Sequence, residues 1–492
     1  MFSITAPRYF KPVLAGCLSV LLLSSCALFP SVGPDYQQPK LSVPEKWSNG
    51  KASQSASVAV PTALSQWWRQ LGDRELDDLI DQALTGNLDL KIAQARLRQA
   101  RASRSQAVGA YFPTLSASVA ASRAKYPAAM SSQPTQTFYD AGFDASWEID
   151  LFGGTRRAVE AADADVAASA ADMHNVRVSL LAEVAQNYID LRSYQRRLTI
   201  ARNNLASQDE TLQITQWRNQ AGLASSNDVE QAQINREQTR ASLPDLELGL
   251  AAAENRLAIL LGRNPGSLHD RLAETRPLPN LPASVATGIP ADVLRQRPDL
   301  VAAERRLAAE TARVGQKQAQ RFPSLSISGA FGWQSYSFAA LGGSASLVRT
   351  VAGSLAATLF DGGRLRSAVE VQSAVQEQSL LSYERSVLSA LEEVENALIA
   401  HAAARERVDA RQTAAGSARN SALLARNMFE SGLSDFQRLL EADRTRLFAE
   451  DSLAVAEATR FTTLIKLYKT LGGGWEHSGS APETPPPSNN SK

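Results

Sequence analysis

The sequence predicts an α+β fold assembled from two similar halves, each pairing a hairpin of strands with a hairpin of long helices. Three observations carry this. Helix-forming runs end at Phe112-Pro113 and Phe322-Pro323, and alternation with a period of two begins after each proline. Asp89 and Asp299, Pro113 and Pro323, Gly222 and Gly432, and Leu261 and Leu471 all lie 210 positions apart, which marks an internal duplication. The run from about Arg156 to Gln220 holds neither Pro nor Gly. Within it Val184, Leu191, Leu198, Leu205 and Leu212 recur every seven residues, the spacing of left-handed coiled-coil packing.

Composition narrows the function. A chain of 492 residues ordinarily suggests two to four domains, but the duplication suggests one architecture in two halves. A formal net charge of +1, with no basic run interleaved with aromatics, argues against nucleic acid as a partner. Aromatics are only 7%, low for large compact cores, whereas abundant Ala, Ser, Gln and Leu suit long packed helices. Cys17 and Cys26, both near the N-terminus, leave the body without a disulfide framework or a cysteine metal site.

Residues 1–25 read as a signal peptide: Arg8 and Lys11 are followed by the apolar run Val13–Leu23, too short to span a bilayer comfortably. The run ends in Leu23-Ser24-Ser25-Cys26, which resembles a bacterial lipobox. That resemblance implies acylation of Cys26 as the new N-terminus; Ala27, rather than Asp, implies delivery to the outer membrane. Residues 26–63, rich in Pro, Ser and Gln, should lie extended against the body.

The first repeat spans residues 64–263. Leu76, Leu79, Ile80 and Leu84 fall on one helical face, Gly86-Asn87 interrupts, and a second helix runs from Asp89 to Tyr111. Strands are expected at Leu115–Val119 and at Phe138–Ile149, where Phe143, Ala145, Trp147 and Ile149 share a face. Gly153 and Gly154 turn the chain into the long helix, at about 1.5 Å per residue roughly 100 Å long. After the break "NQAGLASSND" a return helix runs from about Asn227 to Leu261, with a kink expected at Pro244. Residues 264–290 read as a Pro-rich linker. The second repeat, 291–475, repeats the order: helix 291–320, strands 324–333 and 347–360, the turn at Gly362 and Gly363, a long helix to Glu430, the break "SGLSDF", and a return helix to Leu471. Residues 476–492 should be disordered.

The strands suit a membrane span of about nine to eleven residues, both strand faces reading as only mildly apolar, and nothing after residue 26 could span as a helix. A β-structure in lipid must close, and four strands cannot, since the smallest such barrels have about eight. A homotrimer would supply twelve.

The segments "RPDLVAAERRLAAETARVGQKQAQRFPSLSISG", "EIDLFGGTRR", "GLASSNDVEQAQ" and "LYKTLGGGW", with "GPDYQQP", resemble the outer-membrane factor lipoproteins of the OprM/NodT type, relatives of TolC. The resemblance covers residues 17–475. It implies a TolC-like trimeric tunnel, with a joint twelve-stranded barrel in the outer membrane of a Gram-negative bacterium and a periplasmic barrel of helical hairpins. It implies partners: outer-membrane lipids, a periplasmic adaptor (membrane fusion protein) and an inner-membrane efflux pump of RND type. It also implies that Gly222-Leu223 and Gly432-Leu433, at the hairpin tips, mesh with the adaptor. On the residues alone, each Gly caps its helix and each Leu covers a turn. Finally it implies a periplasmic constriction just after the second tip. There Gln437, Glu441 and Arg444 share a helical face. Glu441 and Asp443 would form a cation-attracting ring, and Arg444 and Asp435 would link the hairpins. Gln437 replaces the apolar ring residue of the relatives, which argues against a tight hydrophobic seal. The bland alternative is a solvated face with ordinary ion pairs.

No catalytic constellation is present, so no enzyme and no cofactor is expected. His174, His269, His401 and His477 are scattered, and neither a phosphate-cradling "GxxxxGK[ST]" nor "GxSxG" occurs. Two classes of function remain: a passive exit duct for drugs or other toxic compounds, with heavy-metal or type I protein export as variants, and a structural coiled-coil envelope lipoprotein. The paired strand hairpins favour the duct.

Overall fold

A computed structural model of the chain describes residues 31–48, 64–125, 127, 135–282 and 296–475. The expected signal peptide, Cys26, part of the linker and the 476–492 tail lie outside the described residues. The elements are α1 (Arg74–Gly86), α2 (Leu88–Gly109), β1 (Thr114–Lys125), β2 (Thr135–Ile149), α3 (Gly154–Gln220), α4 (Ser226–Leu260), α5 (His269–Leu272), α6 (Pro298–Ala319), β3 (Ser324–Ser335), β4 (Leu347–Ala356), α7 (Arg364–Glu430) and α8 (Phe436–Thr470). α3 and α7 each hold 67 residues, α4 and α8 each hold 35, and their bounds keep the offset of the duplication.

The chain divides into two compact units. The first takes in the described residues within 31–40, 96–170 and 302–384 and holds one antiparallel sheet in the order β1-β2-β3-β4. The two hairpins are joined by β2 and β3, with Phe143 opposite Phe331 and Trp147 opposite Ile327. Register sorts the side chains. One face carries Leu115, Val119, Phe143, Trp147, Ile327, Phe331, Trp333, Val351 and Leu355; the other carries Ser116, Ser118, Asp140, Asp144, Glu148, Ser326, Ser328 and Thr350. This corrects the expectation of two mildly apolar faces. The strands are also longer than expected at β1 and shorter at β4. β4 stops at Ala356 because its partner Ser324 directly follows Pro323, so no residue of β3 remains to pair with 357–360.

In the same unit residues 32–36 of the N-terminal segment are laid against the body. Val32 N donates to Phe152 O at 3.1 Å. Buried Arg157 donates to the carbonyls of Val32 and Gly33, each at 3.2 Å, and pairs with Asp35 and Glu160, each at 2.7 Å. Gly33 at φ +97° passes so near that a Cβ would lie 2.3 Å from Gly315 Cα, so neither glycine could carry a side chain here. Tyr36 Oη donates to Glu304 at 2.7 Å.

The second unit takes in the described residues within 41–95, 171–301 and 385–475 and holds the large core. Asp73 caps α1 by accepting from Glu75 N and Leu76 N, and α1 buries Leu76, Leu79, Ile80 and Ala83. They pack with Trp67, Leu71, Leu181, Tyr188, Leu257, Ile465 and Tyr468. α4 continues unbroken through Pro244, an exposed position where water can serve the carbonyl that loses its donor. α6 begins at Pro298, and the expected start at 291–295 lies outside the described residues. Arg297, just before it, is buried, bonding Asp299 at 3.0 and 2.7 Å and Glu393 at 2.7 Å.

Candidate functional site: the hairpin tips and the start of α8

Both tips lie in the second unit and are built alike. Gly222 has φ +72° and Gly432 φ +74°, and each ends its long helix in the left-handed conformation. Gly222 N donates to Asn219 O at 2.9 Å and Leu223 N to Arg218 O at 2.7 Å. Gly432 N donates to Phe429 O at 3.0 Å and Leu433 N to Met428 O at 2.8 Å. These are two Schellman motifs. In that motif the residue after the glycine usually packs back on the helix. Here Leu223 is 71% and Leu433 76% exposed, so neither covers its turn.

The return helices are capped next. Ser225 and Asp228 form a capping box on α4, with Ser225 Oγ accepting from Asp228 N at 3.2 Å and Ser225 N donating to Asp228 Oδ2 at 2.9 Å. On α8 the Asp435 carboxylate accepts from Arg438 N at 3.0 Å. Asp435 is therefore a helix cap.

Below the tips a small core ties the hairpins together: Ala232, Phe429, Phe436, Leu439 and Leu440 are buried, with the Phe429 and Phe436 rings edge-to-face at 5.8 Å. Arg218 crosses from α3 to donate to Phe429 O at 2.7 Å, its guanidinium 4.5 Å from the Phe429 ring centre. Arg426 pairs with Glu210 at 2.7 Å. These links were not foreseen; Phe429 and Phe436 beside a turn in a chain poor in aromatics were the available signal.

Of the constriction residues, Gln437, Glu441 and Arg444 share an exposed face of α8. Phe448, 66% exposed, extends that face by one turn and was missed in the sequence reading. Arg444 Nε donates to Asn235 Oδ1 on α4 at 3.1 Å, so it does link the two hairpins within one chain. Asp443 does not join Glu441. It is 7% exposed; burial pushes its carboxyl up, opposed by Arg446 and Arg426, and Arg446 lies 3.6 Å away. Two residues along a helix is a rotation of about 200°, which puts Asp443 on the buried side. A groove of about 470 Å³ runs beside this face, lined in part by Arg197, Asn235, Arg444, Leu447, Phe448 and Asp451. The Arg197–Asp451 pair at 2.7 Å lies in it.

In the first unit Gly153 (φ +81°), Gly362 (φ +66°) and Gly363 (φ +89°) make the strand-to-helix turns, while Gly154 is the first residue of α3, set against Ala319. Asp150 accepts from Arg156 N at 2.9 Å, and Asp361 from Gly363 N and Leu365 N at 2.9 and 2.8 Å.

A sheet with one apolar and one polar face, joined through glycine turns to long helical hairpins with bare leucines at their tips, defines a membrane channel component rather than a scaffold. The chain belongs to the family described as Outer membrane efflux protein, which matches residues 79–263 and 289–473. It is 32% identical over 463 residues to Nodulation protein T of Rhizobium leguminosarum bv. viciae, covering 94% of this chain and 93% of that one. It is 31% identical over 483 residues to outer membrane protein OprJ of Pseudomonas aeruginosa, covering 94% and 96%. Among solved structures it resembles the outer-membrane channel OprN at TM-score 0.84 and 37% identity, covering 91% of this chain and 100% of that one. It also resembles the open state of the Neisseria gonorrhoeae MtrE channel at TM-score 0.80 and 28% identity, covering 91% and 99%. The fold is thus that of the TolC-like channels, and the chain is the outer-membrane channel of an efflux system in a Gram-negative bacterium, a conduit and not an enzyme.

Proposed function

We propose that three copies assemble into a tunnel that receives drugs or other small toxic compounds from an inner-membrane pump of RND type through a periplasmic adaptor. The relative named as a toluene efflux pump outer membrane protein, TtgF of Pseudomonas putida, is 30% identical over 474 residues and supports small apolar cargo. The observation that carries the adaptor contact is the pair of matching tips, each with an exposed leucine on a fixed Schellman turn. Such small apolar knobs fit between the helices of an adaptor hairpin and need little ordering on binding.

The resting constriction lies at the exposed Gln437, Glu441 and Arg444 face. In a trimer, three copies of it surround one axis. Glu441 supplies a ring of negative charge, and the Arg444–Asn235 bond holds α8 against α4 until the assembled pump displaces it. Single-channel recording in planar bilayers tests this. Glu441→Ala should lower cation selectivity and Arg444→Ala should raise conductance. If both variants conduct and select as the parent does, the segment is not the gate.

Cys26, at the lipobox-like "LSSC", carries acyl chains that add a second hold on the outer membrane. The mass of the mature N-terminal peptide checks this, and an unmodified peptide starting elsewhere refutes it.

A further inference from the structure

We propose that each joint between neighbouring copies carries a binding site for the phosphate of an outer-leaflet lipid, built by Arg123 and Lys125 of one copy and Arg349 of the next. It rests on the trimeric reading, because the site is incomplete in one chain. The duplication supplies the geometry. β1 pairs β2 with Thr114 opposite Ser146, and β3 pairs β4 with Ser324 opposite Ala356, so the hairpins are equivalent at the repeat offset of 210. The β2–β3 joint inside the chain is therefore the template for a β4–β1 joint between chains. Inside, Ile149 faces Leu325, Ala145 faces Gly329, Ala141 faces Trp333 and Tyr139 faces Ser335. Moving each partner by the offset sets Leu359 opposite Leu115, Leu355 opposite Val119, Val351 opposite Arg123 and Arg349 opposite Lys125.

This register covers what the single chain leaves bare on its two edges. Leu115, Val119, Val351 and Leu355 are 73, 84, 85 and 68% exposed, and Leu359, left without a β3 partner, is 96% exposed. A slip of one residue would turn the apolar side chains to the polar face, so the joint can move only in steps of two.

At the hairpin ends, the ends away from the helices, the same register brings three cations together. Arg349 faces Lys125, with Arg123 two residues along on the same face, and like charges opposite one another destabilise a sheet. The sheet offers them no counter-charge there: Asp140, Asp144 and Glu148 of β2 all fall on the other face. Tyr139, Phe331 and Trp333 share the face with the cations, and the Arg349 guanidinium lies 5.7 Å from the Phe331 ring centre. Aromatic side chains of this kind mark the headgroup level of membrane barrels. The group available there is a lipid phosphate, which arginine binds through two parallel N–H donors.

The test uses the full-length trimer in non-ionic detergent, with diphosphoryl and monophosphoryl lipid A as probes read by native mass spectrometry. Trimer should retain the diphosphoryl lipid preferentially. The combined variant Arg123→Gln, Lys125→Gln, Arg349→Gln, all exposed positions, should retain it about tenfold less while remaining trimeric. The pair Val119→Cys and Leu355→Cys should cross-link chains on oxidation, with either single cysteine as control. Equal retention by the triple variant overturns the phosphate site while the trimer stands. Cross-linking of Val119→Cys to Gly353→Cys instead overturns the register and the site, again leaving the trimer. A chain that forms no trimer overturns the site together with the reading beneath it.

Discussion

Leu223→Asp combined with Leu433→Asp is expected to abolish export while leaving the folded trimer intact. Neither leucine is in a core: both stand on turns fixed by backbone hydrogen bonds and are more than two-thirds exposed. Exposed substitutions of this kind shift stability by about 0.5 kcal/mol or less. The effect appears only when an adaptor covers the tips. An unpaired carboxylate buried in an apolar contact costs several kcal/mol, and about 1.4 kcal/mol is tenfold in affinity, so each tip should weaken by roughly a hundredfold or more. Each chain carries two tips, so a trimer carries six contacts, and the single variants should retain part of the function through the tips that remain. Susceptibility of cells to pump substrates and co-purification of the adaptor are the measurements. Export at the parental level from the double variant removes the tips as the docking site, whereas Leu→Ala at the same positions should be mild.

The helical part of the fold was legible because its signals are local and repeated. Capping glycines, a run without Pro or Gly, and a constant offset place α3, α4, α7 and α8 within a residue or two. The sheet was less legible. Its strands alternate Ala, Ser and Gly with few large residues, so one strand alone shows little contrast between faces. Contrast emerges only when register adds Leu115, Ala145, Gly329 and Val351 on one side and Ser116, Asp144, Ala330 and Thr350 on the other. "LAATLF" reads as strand to its end, but pairing stops where the partner meets Pro323, a limit set by another part of the chain. At the candidate site, tip glycines and leucines could be read from the duplication. Asp435 and Asp443 could not be assigned by proximity in sequence: one caps α8 and the other faces inward. The Arg218 and Arg426 links join residues more than 200 positions apart, as their separations of 211 and 216 show, and no local pattern announces them.

Trp67→Ala is expected to destabilise the helical unit by about 3–5 kcal/mol, the usual cost of deleting a large buried aromatic. Trp67 lies in the 3-10 turn Trp67–Leu71 and is 1% exposed. Its ring stacks on Tyr468 of α8 at 5.1 Å and meets Trp68 edge-on at 6.1 Å. The contact joins the start of the first repeat to the end of the second. Gly474 N donates to Leu64 O at 3.0 Å beside it, and Tyr468 Oη donates to Gln70 at 3.3 Å. Gly473 packs against the indole so closely that a Cβ would stand 3.0 Å from it, so deleting the ring opens a large cavity in a close-packed surround. The loss should therefore fall towards the upper end of the range, and Trp67→Phe, which keeps the stack on Tyr468, should cost much less. Thermal unfolding followed by helical circular dichroism measures both. A midpoint for Trp67→Ala equal to the parent would mean that this clasp between the two ends of the chain contributes nothing. With the clasp loosened the hairpins lose the base from which they project, so adaptor binding should decline along with the melting midpoint even though the tip residues are untouched.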